Sequence, residues 1–326
     1  MRLLYIIGNG LDIAHHMKTS YQDFFDYYLG LTSVDDTIKS MKTDIDSKKY
    51  ETWADLEIGL GQYASKCANK DIFLKCLGDI KVNLKTYLQK ESEKIGFYKL
   101  GSYTSFYNPS LYLDPEPRIR YEAYIDDLEH APTQIDVITL NYTDTLESLF
   151  GFKSRVMGIS PDATLNSILH VHGTLDNMMV MGVNDSTQIN NDSFNTDIDI
   201  IEDFVKPEYN DACMNNKNSI CETLIVNADV IVIYGSSLGL SDSKWWQLIG
   251  RRISQQRTYP LLVYLPFDNK KNQTAEPNHL RRWTLKSVRE IQEKFDVKLD
   301  EDTLFSRMCV AFNKRLFSVV KSTQTQ

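Results

Sequence analysis

The hydrophobic pattern of the chain starts with a short apolar run that ends in a glycine-containing turn. Residues 3–7 have the sequence LLYII, and residues 8–12 have the sequence GNGLD. Five consecutive apolar residues before such a turn are typical of a buried strand. Thr19 and Ser20 then precede an amphipathic stretch, and these residue types are typical of helix N-caps. The start of the chain therefore predicts a strand, a loop and a helix, as in nucleotide-binding sheets.

Strand-like and helical runs alternate in the second half of the chain. Apolar runs predict strands at 135–140, 168–172, 178–183, 230–234 and 261–265. This alternation favours an α/β fold, here a Rossmann-like, mostly parallel sheet covered by helices. A C-terminal helix is predicted for 303–319. The Thr- and Gln-rich tail after it is predicted to be disordered.

Two segments depart from this alternation. Residues 32–130 have apolar positions at helical spacing and predict a helical insertion, which leaves 1–31 and 131–326 as the sheet domain. Residues 184–195 are rich in Asn, Asp, Ser and Thr, which predicts an exposed, mobile loop and a candidate lid.

Glu57 lies on an apolar helical stripe within the predicted insertion. The stripe consists of Trp53, Leu56, Leu60 and Tyr63. A carboxylate is unusual there, because charged side chains are rarely buried without a partner. Two interpretations stay open: Glu57 lies at the edge of the stripe and snorkels to solvent or hydrogen-bonds there, or the insertion delivers it to a ligand.

Composition and charge exclude several classes of protein. The chain has 326 residues, 42% of them hydrophobic, and a formal net charge of −8. It can bury a large core but has no basic surface for nucleic acid, which favours a small-molecule ligand. Short apolar runs and the lack of a charged-then-apolar leader predict a cytoplasmic protein without a membrane span. Five cysteines without a Cys-x-x-Cys pair predict reduced thiols and exclude a zinc ribbon.

Four polar clusters each follow a predicted strand, where ligands bind in open parallel sheets. In the first cluster, Gly8 and Gly10 permit close approach of a ligand, and free N–H groups of the turn are expected to bind an anion. Asn9 and Asp12 belong to the same turn. The third glycine of the dehydrogenase fingerprint is missing, which argues against a dehydrogenase.

The second and third clusters supply Asn141, Thr143 and two histidines. Asn141 and Thr143 either contact the ligand or cap the following helix, and both uses stay open. His170 and His172 are two residues apart on a predicted strand and point to one face, as a metal pair requires. Further metal ligands are not close in sequence, so no metal is expected. His172, next to Gly173, is the candidate acid–base group, and His170 is expected to be a hydrogen-bonded supporting residue.

The fourth cluster consists of Gly235, Ser236, Ser237 and Asp242. Its hydroxyl and backbone donors suit a phosphate, and its carboxylate suits a ribose hydroxyl. Alternatively, Asp242 caps the helix that carries the tryptophans at 245–246. These tryptophans are expected to pack in the core rather than to stack on adenine.

Together these motifs resemble the AbiH family of phage abortive-infection proteins. The resemblance is carried, in the family's order, by residues 8–12, 19–24, 53–57, 140–147, 170–173 and 235–242. The family in turn is similar to the sirtuin-like NAD-binding fold in its glycine-rich first loop and its Asn, His-Gly and Gly-Ser-Ser motifs.

This resemblance implies an antiviral defence protein that hydrolyses NAD. It implies that Asn141 orients the nicotinamide ribose or the attacking water, and that His172 acts as the base or binds the 3′-hydroxyl. Two departures argue against sirtuin-type deacylation: the zinc-binding cysteines are missing, and Thr143 stands where sirtuins have an acid.

The leading hypothesis is hydrolysis of the nicotinamide–ribose bond of an NAD-type nucleotide by an NAD glycohydrolase. The oxocarbenium-like transition state requires stabilisation of positive charge and one bound water. The candidate catalytic residues are Asn141, His172, Asp12 and Glu57. The candidate nucleotide-binding residues are Gly8, Asn9, Gly10, Asp12, Thr143, Gly173, Gly235, Ser236, Ser237 and Asp242.

Other functions and partners stay open. A non-catalytic nucleotide-binding sensor or interaction module uses the same clusters to bind its ligand. A nuclease is disfavoured, because an acidic chain offers no electrostatic steering to nucleic acid. A phage-derived trigger and a second copy of the chain are open as partners, and no membrane partner is expected.

Overall fold

The computed structural model describes residues 1–128, 132–150, 157–255, 260–265, 277–312, 316–317 and 319–321. The strands in these ranges are β1 (Arg2–Ile7), β2 (Tyr98–Leu100), β3 (Thr133–Thr139), β4 (Met157–Ser160), β5 (Ala163–His170), β6 (Val230–Tyr234), β7 (Leu261–Leu265), β8 (Met308–Phe312) and β9 (Val319–Lys321).

A seven-stranded sheet has the order β4-β5-β3-β1-β6-β7-β8, and β2 pairs with β9 in a separate antiparallel sheet. In the large sheet β4 runs antiparallel to β5, and the other neighbouring strands are parallel. Numbered along the chain, the six parallel strands have the order 3-2-1-4-5-6, which is that of doubly wound sheets. The order reverses at β1, and ligands of such sheets bind beyond the carboxyl ends of the strands at this switch point.

Helices cover both faces of the sheet. The described α-helices are α1 (Gly10–Ala14), α2 (Tyr21–Leu29), α3 (Asp36–Lys48), α4 (Leu56–Tyr63), α5 (Lys70–Ser92), α6 (Thr104–Tyr107), α7 (Pro115–Asp126), α8 (Thr145–Phe150), α9 (Ile198–Phe204), α10 (Lys206–Ala212), α11 (Lys217–Asn227), α12 (Ser243–Gln255), α13 (Pro277–Lys294) and α14 (Glu301–Arg307). Short 3₁₀ helices span Ala64–Lys66, Glu93–Phe97, Pro109–Tyr112, Ser186–Gln188 and Leu240–Asp242.

Apolar side chains pack into three cores, two on the sheet and one among helices. Successive residues of β1 point to opposite faces, so Tyr5 packs with α6, α7 and α8 while Ile6 packs with α11, α12 and α13. The third core, called the helical core here, joins α2 to α5 with residues 175–205. Residues 32–128 contribute to both the helical core and one sheet face, and the division of the chain into a sheet domain and an insertion stays a prediction.

Several predicted elements are confirmed. The apolar runs at 3–7, 135–140, 168–172, 230–234 and 261–265 lie in or overlap β1, β3, β5, β6 and β7. All five residues of β6 are buried, because helices cover both faces of a parallel sheet. Ser20 caps α2, and its hydroxyl accepts a hydrogen bond from the Asp23 N–H at 3.2 Å. The chain therefore has an α/β fold with a mostly parallel sheet.

The strand predicted at 178–183 is wrong. Met178 has a φ of +46°, in the left-handed region, and the segment forms no strand. Its backbone groups bond outside the sheet: the Val180 N–H donates to the His172 carbonyl, and the Gly182 N–H donates to the Glu57 carboxylate. Apolar residues here therefore fill the helical core from a loop.

Three further predictions need correction. The helix predicted at 303–319 ends at Arg307, because the apolar run of β8 pairs with β7 instead. The exposed loop predicted at 184–195 contains a 3₁₀ turn and buries Ile189 and Phe194 in the helical core. These two apolar side chains attach the loop to the core, although most residues of the loop are polar. The tail predicted to be disordered begins after residue 319. Val320 and Lys321 lie in β9, which contradicts disorder there, and residues 322–326 lie outside the described ranges.

The cysteines are free thiols, as the sequence predicts. Cys67, Cys76, Cys221 and Cys309 are buried, whereas Cys213, just after α10, is exposed. Within the described ranges, no helix combines the length and the apolar character that a membrane crossing requires.

Candidate functional site

The four polar clusters converge on one cavity at the carboxyl ends of β1, β3 and β6. The cavity has a volume of about 1010 Å³. Of the predicted site residues, those that line it are Gly8, Asn9, Gly10, Asp12, Glu57, Asn141, Thr143, His172, Gly235, Ser236, Ser237 and Asp242. Gly173 is the exception: it has a φ of +75° and supports the turn that follows β5.

The glycines of the first and fourth clusters pack against each other rather than presenting free donors. The Gly8 N–H donates to the Tyr234 carbonyl at 2.9 Å, and the Gly10 N–H donates to the Gly235 carbonyl at 2.7 Å. A Cβ on Gly10 would lie 2.4 Å from the Cα of Gly235. The N–H groups of Gly8 and Gly10 are therefore already bonded to the neighbouring loop, and anion binding by the rest of the turn stays a prediction.

Asp12 is buried at the centre of a neutral hydrogen-bond cluster. Thr143 Oγ1 donates to Asp12 Oδ2 at 2.7 Å, and Asn141 Nδ2 donates to Asp12 Oδ1 at 3.3 Å. Burial raises the pKa of Asp12 to about 6, although hydrogen bonds from Thr145, Thr143 and Asn141 oppose the rise. The side chains of Asn141 and Thr143 are thus directed to this acid. Asp12 can change its charge near neutral pH.

A chain of charged groups runs through the other side of the cavity. Lys206 Nζ donates to Glu57 Oε2 at 2.8 Å and to Asp242 Oδ1 at 2.9 Å. His172 Nε2 lies 2.8 Å from the same Asp242 oxygen. Glu57 also accepts from the Gly182 N–H at 3.0 Å. Glu57 is 3% exposed, so it does not lie at an exposed edge of its stripe, but it is hydrogen-bonded, as that interpretation expected. It also lines the cavity.

Burial and the positive charge of Lys206 determine the protonation states of these charged groups. Burial opposes ionisation of Asp242, yet Lys206 and His172 hold its pKa well below the usual range. Burial and the charge of Lys206 both lower the pKa of His172. Burial raises the pKa of Glu57 to about 7, and Lys206 opposes that rise. At neutral pH this row of charged groups contains the carboxylate of Asp242, the ammonium of Lys206 and the neutral imidazole of His172.

The hydrogen bond to Asp242 determines which ring nitrogen of His172 carries the proton. Because the ionised carboxylate of Asp242 can only accept, Nε2 of His172 carries the proton and Nδ1 is the free acceptor. Nδ1 is buried and has no hydrogen-bond partner among the described residues. This oriented carboxylate–imidazole pair matches the arrangement in which a carboxylate fixes the tautomer of a catalytic histidine.

His170 does not pair with His172. Its Nε2 lies 2.9 Å from Glu147 Oε1, and its Nδ1 lies 2.9 Å from the Asn141 carbonyl oxygen. The prediction of a hydrogen-bonded supporting residue is confirmed. Across the described ranges, no group of three or more His, Cys, Asp and Glu side chains could hold a metal ion.

Lys206 is the site residue that sequence reasoning missed. It lies between Val205 and Pro207 at the start of α10, far from every predicted strand end. A lysine next to a proline at a helix start is ordinary on a surface, so no sequence signal marks its burial. The prediction that the tryptophans at 245–246 pack in the core is confirmed, since both are buried against helices on one face of the sheet.

The strand order and the cavity define an α/β protein of the doubly wound class with a charged cleft at its switch point. The chain belongs to the AbiH family: the family model described as "Bacteriophage abortive infection AbiH" matches residues 4–264. It is thus a phage-defence protein of the abortive-infection type. A comparison with curated proteins found no match.

Proposed function

We propose that this protein binds an NAD-type nucleotide and hydrolyses its nicotinamide–ribose bond in defence against phage. The observation that carries the proposal is the pairing of His172, which lines the cavity where the four clusters meet, with ionised Asp242. This pairing leaves the buried Nδ1 of His172 without a hydrogen-bond partner among the described residues. The proposal includes the sirtuin-like mode of NAD binding that the sequence motifs imply.

The cavity suits an extended nucleotide. It lies at the switch point of a doubly wound sheet, where dinucleotides bind in other proteins of this architecture. Its volume of about 1010 Å³ is at the upper end of the range for small-molecule sites. Ser236 and Ser237 line it and carry hydroxyl groups suited to phosphate or ribose oxygens.

The reaction uses one water molecule. As the bond between C1′ of the ribose and the nicotinamide nitrogen breaks, its electron pair goes to the nitrogen and neutral nicotinamide leaves. Water attacks C1′, and His172 Nδ1 takes the proton that the water loses, which yields ADP-ribose. The ionised form of Asp12 stabilises the oxocarbenium-like charge, and Asn141 orients the ribose or the water.

The test is release of nicotinamide from NAD by the purified protein, with and without phage lysate as the trigger. We expect His172→Ala to reduce release by about 10²–10⁴-fold, the usual contribution of a general base. Glu222→Gln, on an acid whose side chain is 46% exposed, serves as a control that leaves release unchanged. Absence of release under every condition refutes hydrolysis.

A nucleotide sensor is the second candidate function. It is favoured by the internal neutralisation of the charged chain, in which Lys206 already pairs with both Glu57 and Asp242. Calorimetry with NAD separates the two functions: binding without release of nicotinamide supports the sensor. Binding that disappears in a Ser236→Ala, Ser237→Ala double variant identifies this cavity as the site.

A further inference from the structure

Lys206 is a buried lysine that the proposed reaction does not consume. It is 4% exposed, and its ammonium group joins Glu57 of α4 to Asp242 of the 3₁₀ turn at 240–242. Lysines are almost never fully buried unless they are paired, and the two carboxylates account for the burial of Lys206. The three contacting groups come from segments far apart in sequence, and Lys206 holds them together.

Lys206 and His172 share one acceptor atom. Lys206 Nζ is 2.9 Å from Asp242 Oδ1, and His172 Nε2 is 2.8 Å from the same oxygen. The two nitrogens therefore lie within the ~4–6 Å over which a like charge disfavours a second positive charge. A permanent ammonium at this point disfavours the imidazolium form of His172.

We propose, on the basis of the hydrolysis proposed above, that Lys206 is a positioning residue for His172. It keeps Asp242 ionised as the acceptor of the Nε2 proton, and it keeps the imidazole neutral, so that Nδ1 is free to take a proton from water. Lys206 itself neither binds the nucleotide nor transfers a proton.

Other titratable groups surround this pair and act on it in known directions. They are Asp55, Glu57, Tyr21, Tyr142 and Lys217. Burial raises the pKa of both tyrosines, so they are neutral near pH 7. Lys217 lowers the pKa of His172 in the same direction as Lys206. When Lys206 is removed, the attraction between Asp242 and a protonated His172 is opposed by one cation fewer, and Lys217 remains.

The experiment removes the positive charge of Lys206 and measures His172 directly. In a Lys206→Met, Glu57→Gln double variant, one cation and one anion are lost together, so no additional unpaired carboxylate is buried. We expect the pKa of His172, measured by NMR with His172→Gln as the assignment reference, to rise by about 1–3 pH units. Glu57→Gln alone is expected to leave this pKa at or below its wild-type value.

Activity provides a second readout. In the double variant, the acidic limb of the pH profile for nicotinamide release is expected to move to higher pH by the same interval. Lys206→Arg retains a positive charge and is expected to keep the limb in place. Lys70→Met is the matched control, because Lys70 also bridges two carboxylates, Asp197 and Asp199, but on the surface.

The outcomes separate this inference from the proposed function. An unchanged pKa of His172 in the folded double variant overturns the role of Lys206, even if the wild type cleaves NAD. A uniform loss of activity without a shift of the pH profile also overturns it, since a structural role alone predicts that result. If the wild type releases no nicotinamide, hydrolysis fails, and the NMR titration still decides whether Lys206 controls His172.

Discussion

Asp12 and Asp242 are two carboxylates of one cavity, and their partners give them opposite behaviour. Burial raises the pKa of Asp12 to about 6, because Thr143 and Asn141 are neutral donors that offset only part of it. Asp242 lies in the same cavity, yet Lys206 and His172 hold its pKa below the usual range. Since both acids are buried, the charge of their partners accounts for the difference between their pKa values. Titratable groups with divergent pKa values are typical of acid–base sites.

The largest expected effect comes from the ionised acid. Asp242→Asn replaces the anion that fixes the tautomer of His172, so we expect release of nicotinamide to fall by about 10²–10⁴-fold. Rates are measured with the variant at matched concentration, after circular dichroism has shown a native spectrum. Wild-type rates in this variant would mean that the charge of Asp242 is not needed to fix the tautomer of His172 for the reaction.

The two clusters are also expected to differ in their contribution to stability. Lys206→Ala removes the buried cation that pairs with Glu57 and Asp242 and should lower the free energy of unfolding by about 3–5 kcal/mol. Asp12→Ala breaks neutral hydrogen bonds and should lower it by about 1–3 kcal/mol. Urea denaturation of both variants gives the two values. Equal losses would contradict the contrast between a charged and a neutral cluster.

The pH dependence of the free energy of unfolding should reveal the raised pKa of Asp12. Because its folded pKa of about 6 exceeds the ordinary value of 3.8, the folded state binds the proton more tightly than the unfolded state. The contribution of Asp12 to stability is therefore greatest below about pH 4 and falls as the pH rises to about 6, by about 3 kcal/mol. Asp242 has the opposite sign: its contribution is present above pH 4 and is lost at lower pH.

Asp12→Asn isolates this effect. The amide does not titrate, so the variant should gain stability relative to the wild type between pH 4 and pH 7. Urea denaturation at the two pH values measures the difference of free energies. A constant difference between wild type and variant would show that Asp12 has an ordinary pKa.

The smallest expected effect concerns the contact between the two clusters' loops. Gly10→Ala places a Cβ 2.4 Å from the Gly235 Cα and must move the Asp12 loop against the Asp242 loop. We expect a loss of about 1–3 kcal/mol in unfolding free energy, as for other overpacked positions. Gly78→Ala is the matched control: apart from its chain neighbours and the backbone of its own helix, no atom lies within 4 Å of an added Cβ, so stability should hold or rise. Identical unfolding free energies for Gly10→Ala and Gly78→Ala would contradict the steric argument.

The sheet and the position of the cavity were predictable because both follow from local patterns. The runs that became β1, β3, β6 and β7 are bounded and apolar, and parallel strands place their carboxyl ends at one edge. Polar residues after these runs had to meet there. Asn141, His172 and Asp242 were found in this way, without any knowledge of their contacts.

The rest depended on tertiary contacts that no local pattern records. The apolar run at 178–183 resembles a strand, but its N–H groups donate to the Glu57 carboxylate and to the carbonyls of His172 and Phe204. The run of β8 continues a helical pattern until its pairing with β7 overrides it. Lys206 is separated from its partners Glu57 and Asp242 by 149 and 36 residues, so only the fold reveals the ion pairs.

The exposed Cys213 provides a specific attachment point for a fluorescent probe. The other four thiols are buried, so a maleimide dye should react first at this position. Cys213 follows the last turn of the helix that begins at Lys206, and seven residues of α-helix span about 10 Å. A dye there would report, in real time and in the native chain, whether nucleotide or a phage component displaces the helix that carries the central ammonium group.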